Sequence, residues 1–372
     1  MGSNRFRTDM PRLMEFYRRG KLHLDGLRFE AKLELAGFDP AAFGDYPQGV
    51  LNASIAAAGT PEGADRTWTL GASTLAGQAL ESSGSARVAR DRVTRADARA
   101  SYGGANARVR GAFGRPGDEM AWQLEVPRLA DVAAELAGTL EASGTLSGHW
   151  RDPEAAASAR IEALRLPGGL QARELRASFA GRLSRHEIEL FARAPEIALQ
   201  ARLRGGWLGA RGWAGELLSL TNQGTYPLAL TAPAPLQASR AQVELGRLEA
   251  KLGEGRLLVE SLRWQPQKLV SAGEFRGLPA QWLVALTGFA QRVGGALLLD
   301  GAWSLTAAPR LQGTLEVRRA GGDLSFDGVA LELREASLEG RFTEGRLAAS
   351  GALASRFGTA TLQAEISPRA GA

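Results

Sequence analysis

The sequence contains no cysteine among its 372 residues. This absence excludes disulfide bonds, thiol nucleophiles and cysteine-based zinc or iron–sulfur sites. An uncharged run that could form a membrane-spanning helix is also missing, because the longest one, which includes residues 219–239, carries Pro, Gly, Asn and Gln. The start of the chain is charged and lacks the apolar stretch of a signal peptide. We therefore expect no membrane anchor in the chain as given.

Recognisable catalytic motifs are absent as well. The sequence has no nucleophile elbow, no phosphate-binding loop, no dinucleotide-binding glycine motif and no HExxH zinc motif. Its histidines, His23, His149 and His186, are far apart and none has a metal-ligand spacing. Each occupies a polar position of its stretch, which favours a surface location over a role as ligand or general base. We therefore expect no enzyme activity, no cofactor and no metal site.

Lysine is scarce, so almost all the positive charge is carried by arginine; the lysines are Lys21, Lys32, Lys251 and Lys268. The formal net charge is +5, which raises nucleic acid or an anionic membrane surface as a partner. The arginines, however, alternate with Glu and Asp and form no stripe of one sign. This pattern is typical of a solvated, salt-bridged face, and it predicts that nucleic acid is not a partner.

What the sequence does contain is a long-range alternation of apolar and polar residues. In GTLEASGTLSGHW, residues 138–150, polar residues alternate with Leu140, Ala142, Gly144, Leu146, Gly148 and Trp150. A period of two over this length predicts an extended strand with one apolar and one wet face. Similar alternation recurs in residues 27–35, 121–126, 160–166, 186–192, 242–252 and 313–319.

The alternating stretches are separated by short, glycine-rich breaks, and glycine accounts for 46 residues. This spacing is typical of antiparallel hairpins and predicts on the order of 20 to 25 strands. The predicted fold class is all-β, with a long antiparallel meandering sheet. One N-terminal helix and a few short helical turns complete the prediction.

Internal repeats favour one continuous architecture. LEAKLGEGRL (248–257) matches LEGRFTEGRL (338–347) position by position, which predicts a repeated hairpin. A looser pair is formed by residues 126–150 and 278–305, each with a proline-led helical segment followed by strands that end near a tryptophan. Such repeats are typical of a stack that grows by adding units.

The first segment differs from the rest of the chain. Residues 1–26 carry Pro11 in a first helical turn and a stop at Gly20, which predicts one short amphipathic helix. From residue 27 the period changes from 3.6 to 2. We therefore expect a continuous repeated β-structure over 27–372, with a possible sub-boundary near 151–158.

The apolar face of such a sheet needs a cover, and the helical signals are too few to supply one. Either the sheet closes on itself around an ordinary core, or it stays open as a trough able to hold acyl chains. Small residues such as Gly144 and Gly148 would keep an open trough wide. The residues that we expect to line such an open trough are Leu140, Ala142, Leu146, Trp150, Trp303 and Leu315.

From about Leu27 onward the chain resembles the TamB family, the large AsmA-like subunits of the translocation and assembly module of Gram-negative bacteria. The resemblance rests on residues 38–60, 138–150, 213–236 and 278–305. It implies a long β-sheet curled into an open groove over residues 27–372, in a periplasmic protein that carries phospholipid between the inner and outer membranes. It also implies support for outer-membrane protein (autotransporter) assembly and secretion, together with a TamA-like β-barrel partner.

Two parts of that family have no counterpart here, namely the N-terminal inner-membrane helix and the C-terminal region that meets the barrel. The resemblance therefore implies a middle fragment of a protein that is anchored in the inner membrane when complete. A different function class remains open: a chaperone-like β-scaffold that binds client strands by edge augmentation.

The N-terminal segment has a resemblance of its own. Residues 1–26 are similar to the C-terminal segment of zinc-dependent medium-chain alcohol dehydrogenases. The zinc cysteines and the dinucleotide loop of that family are absent from the chain, so dehydrogenase activity is not implied. A fused or misassembled reading frame explains this segment better than a native leader helix does.

Overall fold

A computed structural model describes residues 21–25, 28–166, 171–284 and 292–367. The chain divides into two compact units, Met1–Leu183 (unit 1) and Ser184–Ala372 (unit 2). The sequence-based sub-boundary near 151–158 falls inside unit 1. There it covers the turn after the strand Ala137–His149 and the first half of the strand Asp152–Arg165. These two strands form a hairpin and pair along most of their length.

Unit 1 consists of long strands, and those described are β1 Lys21–Asp25, β2 Arg28–Phe38, β3 Gly49–Thr60, β4 Gly63–Leu75, β5 Gln78–Ala89, β6 Arg92–Tyr102, β7 Ala105–Phe113, β8 Glu119–Val126, β9 Ala137–His149, β10 Asp152–Arg165 and β11 Gln171–Arg182. From β1 to β11, consecutive strands pair antiparallel with one another. Unit 1 is therefore a simple meander.

Unit 2 mixes long strands with very short ones: β12 Arg185–Arg193, β13 Ala198–Trp207, β14 Trp213–Asn222, β15 Leu228–Leu230, β16 Ala234–Ala238, β17 Val243–Leu245, β18 Leu248–Leu252, β19 Gly255–Gln265, β20 Lys268–Pro279, β21 Val293–Gly295, β22 Leu298–Ala308, β23 Arg310–Gly321, β24 Leu324–Phe326, β25 Val329–Ala330, β26 Glu335–Thr343, β27 Arg346–Ser355 and β28 Gly358–Ile366. The short strands are too brief to produce a readable alternation, so the described strands outnumber the 20 to 25 expected.

The meander of unit 2 has two local departures. Between β14 and β19 the sheet splits into two short tracks, one formed by β15 and β18 and the other by β16 and β17. Strands β21, β24 and β25 form a separate three-stranded sheet. From β19 onward the main sheet contains β19, β20, β22, β23, β26, β27 and β28. In this order, each strand pairs antiparallel with the next. The predicted all-β, antiparallel meandering fold is confirmed.

In the described part of the chain, helical structure is confined to short segments at strand ends. Residues Ala280–Val284 form helix α1, and Pro40–Phe43, Leu129–Asp131 and Gly209–Arg211 form single 3-10 turns. Both members of the looser repeat thus have their helical segment where it was expected, at Leu129–Asp131 and at α1. The helix expected before Gly20 lies outside the described residues, whereas Lys21–Asp25 already pairs as a strand, so strand structure begins earlier than Leu27.

The apolar residues pack in lateral rows across neighbouring strands. In unit 1, Val126 and Leu164 are buried beside Leu129, whose 3-10 turn closes one end of the row. In unit 2 a second row surrounds the fully buried Ala234. Among the described residues, no large side chain is completely buried. The apolar faces are therefore half-buried by their own neighbours and lack the dense cover of an ordinary core.

The repeated hairpin folds with two different turns. In the first copy Leu252 pairs with Gly255, whereas in the second Thr343 pairs with Arg346, so the turn is displaced by one position in the repeat. Only Gly253 has a positive φ in the first turn, while Glu344 and Gly345 both do in the second. These patterns correspond to II′ and I′ turns respectively. Glycine at 253, where the second copy has Thr343, permits the earlier turn.

Candidate functional site

Two of the candidate groove residues of unit 2 meet directly. Trp303 on β22 is the cross-strand partner of Leu315 on β23, and both side chains are half-buried. The indole N–H of Trp303 donates a hydrogen bond to Ser271 Oγ at 3.0 Å, which fixes the ring across β20. The ring also stacks near Phe275, with 6.4 Å between the ring centroids. These contacts make a continuous apolar surface across three strands.

The candidate residues of unit 1 separate into two environments. Leu140, Ala142 and Leu146 lie on the half-buried face of β9, and Leu140 is flanked by Val126 and Ile161. Trp150 lies beyond this strand, because β9 ends at His149 and Trp150 occupies the following turn. There Trp150 is 48% exposed, and its ring packs edge-on against Phe113 at 4.8 Å between centroids. The expectation that the strand continues through Trp150 is therefore wrong.

Aromatic rings lie over glycines on the apolar faces of both units. The direct cross-strand pairs are Trp68 with Gly84, Trp122 with Gly144, Phe275 with Gly301, and Trp303 with Gly273. At Gly144 a Cβ atom would lie 2.9 Å from two atoms of the Trp122 ring. The expectation that Gly144 widens an open trough is therefore wrong, because Trp122 fills that space. Sequence reasoning missed this pairing, because it depends on the cross-strand register that brings the glycine and the aromatic residue together.

An open apolar trough crosses neighbouring strands of unit 2. Its volume is about 450 Å³, and its apolar lining includes Leu299, Val317, Leu338, Leu353, Ala360 and Leu362. The lining follows the register, with Val317 opposite Leu338 and Leu353 opposite Ala360. Leu338, Leu353 and Leu362 are 39%, 36% and 50% exposed. Leu315 and Trp303 lie on the same strands, β23 and β22, but are not part of this lining.

The opposite, polar faces carry cross-strand ion pairs. Glu187 on β12 accepts hydrogen bonds from Arg202 at 2.6 Å and from Arg204 at 3.0 Å, both on β13. The hydrogen bond from Arg202 is the largest cause, and the one from Arg204 the next, that holds the pKa of Glu187 below its ordinary value. A carboxylate stabilised in its charged form is a poor proton donor or acceptor at neutral pH. The arrangement is that of a solvated outer face.

His186 is the exception to the expected surface histidines. Its side chain is 5% exposed, and the indole N–H of Trp213 donates a hydrogen bond to its Nε2 at 2.7 Å. The prediction of a surface location is therefore wrong for His186. It occupies the second position of β12, opposite Gly205, over which the Trp213 ring lies. His186 therefore serves as a buried hydrogen-bond acceptor for Trp213, the tryptophan whose ring covers Gly205.

The described residues contain neither a metal-binding cluster nor a membrane-spanning helix. Within residues 28–166, 171–284 and 292–367, no group of three or more His, Cys, Asp or Glu side chains could hold a metal ion. None of the helices in the described part of the chain is long and apolar enough to cross a membrane. No family model, curated protein or solved structure matches this chain.

Proposed function

We propose that this chain conducts phospholipid acyl chains along the apolar faces of its sheets. The observation that supports this most directly is the trough of unit 2, where Leu338, Leu353 and Leu362 remain 36–50% exposed on one continuous face. Leucines in register on a sheet normally face a second layer. An acyl chain laid along them would supply that cover.

The mechanism follows from the uniformity of the surface. Each methylene shielded from water gains roughly 0.8 kcal/mol. A chain that moves along a row of leucines, alanines and ring faces exchanges one apolar contact for another and crosses no polar barrier. Conduction is then passive, and its direction is set by the membranes or proteins at either end.

The cellular setting of the proposal comes from the resemblance to the TamB family. We propose, as that resemblance implies, that the chain lies in the periplasm between the inner and outer membranes, within a protein anchored to the inner membrane. In that setting it acts with a TamA-like outer-membrane barrel and supports the assembly of outer-membrane proteins.

A second candidate function is a scaffold that binds client β-segments by strand addition. The observation that favours it is β28, which pairs only with β27 among the described strands and whose nine residues contain no proline, lysine or bulge. Natural edge strands usually carry one of these protective features. A client strand would pair along β28 and cover Leu362 and Ile366, which are 50% and 58% exposed.

Site-specific photocrosslinking distinguishes the two functions. A photoreactive residue in place of Leu353 faces the trough, and one in place of Gln363 on the neighbouring strand serves as the control because it faces the polar side. Crosslinking in cells followed by mass spectrometry should recover lipid adducts at 353 and none at 363. Protein adducts alone at 353 would overturn lipid conduction and favour strand addition.

A further inference from the structure

We propose that the polar face of unit 1 carries a binding site for a phosphate group. The site is formed by Arg99 on β6 and Arg108 on β7, which we call the arginine pair. Along β6, Arg99 alternates with the half-buried Ala98 and Ala100, so the pair lies on the face opposite the apolar surface. The proposal is therefore independent of the proposed path of acyl chains.

The arginine pair places two like charges directly opposite each other. Arg99 and Arg108 are cross-strand partners, and both side chains are exposed. Like charges in this position destabilise a sheet. Within the described residues, neither guanidinium has a carboxylate oxygen within 4.0 Å. The protein itself therefore leaves the charge of the pair without a contacting anion.

A second pair of arginines in unit 1 shows what such a pair binds. Arg160 and Arg176 also face each other, and we call them the bridged pair. Oε1 of Glu174 lies 3.0 Å from Nε of Arg160 and 2.8 Å from Nε of Arg176. One oxyanion thus contacts two opposed guanidinium groups. Two further pairs have an acidic partner for one arginine: Arg87 with Asp65, opposite Arg95, and Arg276 with Glu274, opposite Arg256.

The neighbouring positions explain why the arginine pair has no such bridge. Beside the bridged pair, the next cross-strand positions are occupied by Glu162 and Glu174. The corresponding positions beside the arginine pair are occupied by Ser101 and Asn106, which are neutral. The chain therefore supplies no carboxylate there, and an oxyanion from solution is needed to separate the two charges.

A concavity of about 690 Å³ gives a ligand access to the arginine pair, and its polar lining includes Gln123, Ser143 and Thr145. Gln123 is the cross-strand partner of Arg108, and Ser143 that of Gln123. Guanidinium groups bind phosphate oxygens through paired N–H···O bonds, and amide and hydroxyl groups add further donors. The lining thus offers a phosphate group donors from three strands.

The charge of this concavity is positive. Besides the arginine pair, its ionisable lining residues are Arg110 and Asp97, so three positive charges and one negative charge leave a net charge of +2. Asp97 is the cross-strand partner of Arg110, with 3.9 Å between them. A neighbouring concavity that the arginine pair also borders contains Glu81 and Glu125 and has no net charge. The phosphate group therefore belongs on the Arg110 side.

Arg99 keeps donors free for this ligand. Its Nε donates a hydrogen bond to Ser83 Oγ at 2.9 Å, which positions the side chain. Its terminal N–H groups make no hydrogen bond within the described residues. They can therefore contact a phosphate oxygen without breaking an existing interaction.

Isothermal titration calorimetry with inorganic phosphate tests the proposal on the full chain, at an ionic strength kept constant with sodium chloride. The variants are Arg108→Gln, which removes one guanidinium, and Gln123→Glu, which keeps both arginines but places a carboxylate opposite Arg108. Arg160→Gln is the matched control, because it removes an arginine of the bridged pair. Circular dichroism confirms that each variant is folded.

We expect the wild type and Arg160→Gln to bind phosphate with the same affinity. Arg108→Gln and Gln123→Glu should each bind at least about tenfold more weakly, because one loses a charged donor and the other supplies a competing anion. Absence of phosphate binding by the wild type, or equal affinity of Arg108→Gln and the wild type, would overturn the proposal.

A second titration identifies the source of the phosphate group. Dihexanoyl phosphatidic acid, used below its micelle concentration, carries a phosphate monoester on a lipid. Tighter binding of this lipid than of inorganic phosphate, lost in Arg108→Gln, would assign the site to a lipid headgroup. Equal or weaker binding, also lost in Arg108→Gln, would assign it to free phosphate. Lipid binding that Arg108→Gln leaves unchanged would refute the arginine pair as the site.

Discussion

Trp122 lies across the sheet from Gly144, and its indole ring occupies the space that a side chain at position 144 would need. The two residues are direct cross-strand partners on β8 and β9. The same relationship joins Trp303 to Gly273 in unit 2. Glycine and tryptophan thus act as a pair, and the apolar surface they make is flat and wide.

Substitution of Gly144 by alanine tests this pairing. A Cβ atom there would lie 2.9 Å from the Trp122 ring and 2.5 Å from the carbonyl oxygen of Ala156. We expect Gly144→Ala to lower the free energy of unfolding by about 1–3 kcal/mol, since the ring and the backbone must shift. Urea denaturation followed by tryptophan fluorescence measures the effect.

Gly71→Ala is the matched control for this experiment. Gly71 is also within a strand of unit 1, but a Cβ at that position meets nothing within 4 Å. Its substitution should leave the stability unchanged or raise it by up to about 1 kcal/mol. Equal losses at both positions would mean that the cost reflects glycine in strands generally and not the tryptophan.

A charge in the trough should abolish lipid binding. Leu353→Glu places a carboxylate beside Leu338 and Ala360, where an acyl chain would have to cover it. We expect the affinity for dansyl-labelled undecanoic acid to fall at least about tenfold, because burying an unpaired charge is costly. Fluorescence titration provides the measurement.

Gln363→Glu adds the same charge on the opposite face of the neighbouring strand. Its affinity for the fatty acid should equal that of the wild type. If both variants bind equally well, the trough of unit 2 is not the binding surface.

Removal of the buried acceptor at His186 should destabilise unit 2. In His186→Leu the indole N–H of Trp213, a residue only 9% exposed, loses its partner. We expect a loss of about 1–3 kcal/mol, the usual cost of a buried donor left unsatisfied. Thermal unfolding measures it, with His149→Leu as control because His149 is exposed. A control variant that loses as much stability would contradict the assignment.

Stability in acid should depend on Asp118. Arg92 donates two hydrogen bonds to its carboxylate, at 2.6 and 2.9 Å, and the backbone N–H of Arg115 donates a third. The bonds from Arg92 are the main cause that lowers the pKa of Asp118. A lowered folded-state pKa contributes stability above the ordinary value of about 4, and this contribution is lost as the pH falls through the folded-state value.

Asp118→Asn should therefore be less stable than the wild type at pH 7 and should lose less stability between pH 4 and pH 2. Denaturant unfolding at a series of pH values gives both quantities. Asp45→Asn, at an exposed position, serves as the control and should follow the wild-type curve. A pH dependence of Asp118→Asn identical to that of the wild type would rule out this role for the ion pair.

The fold was readable from the sequence to the extent that it depends on local patterning. Alternation in residues 138–150 predicted β9 and its apolar face, and the repeat at 248–257 and 338–347 predicted two hairpins that the structure contains. The one-position displacement between their turns was not readable, because it depends on which residues adopt a positive φ once the strands pair.

The candidate site was predicted less completely. Leu140 and Leu146 lie on the expected face, whereas Trp150 falls in a turn, because the strand ends one residue earlier. The trough residues Leu338 and Leu353 were not singled out, since their alternation looks the same as that of any other strand. Their exposure depends on what their neighbours in the sheet leave uncovered.

By itself the sequence determined the chemistry of the two faces, because side-chain direction alternates along any strand irrespective of its neighbours. It also determined that the strands pair as antiparallel hairpins, since the breaks between them are short. Only the tertiary structure decided that Trp122 covers Gly144, that His186 is buried beneath Trp213, and that the leucines of unit 2 stay open. Each of these depends on cross-strand register, which brings together residues that are distant in the chain.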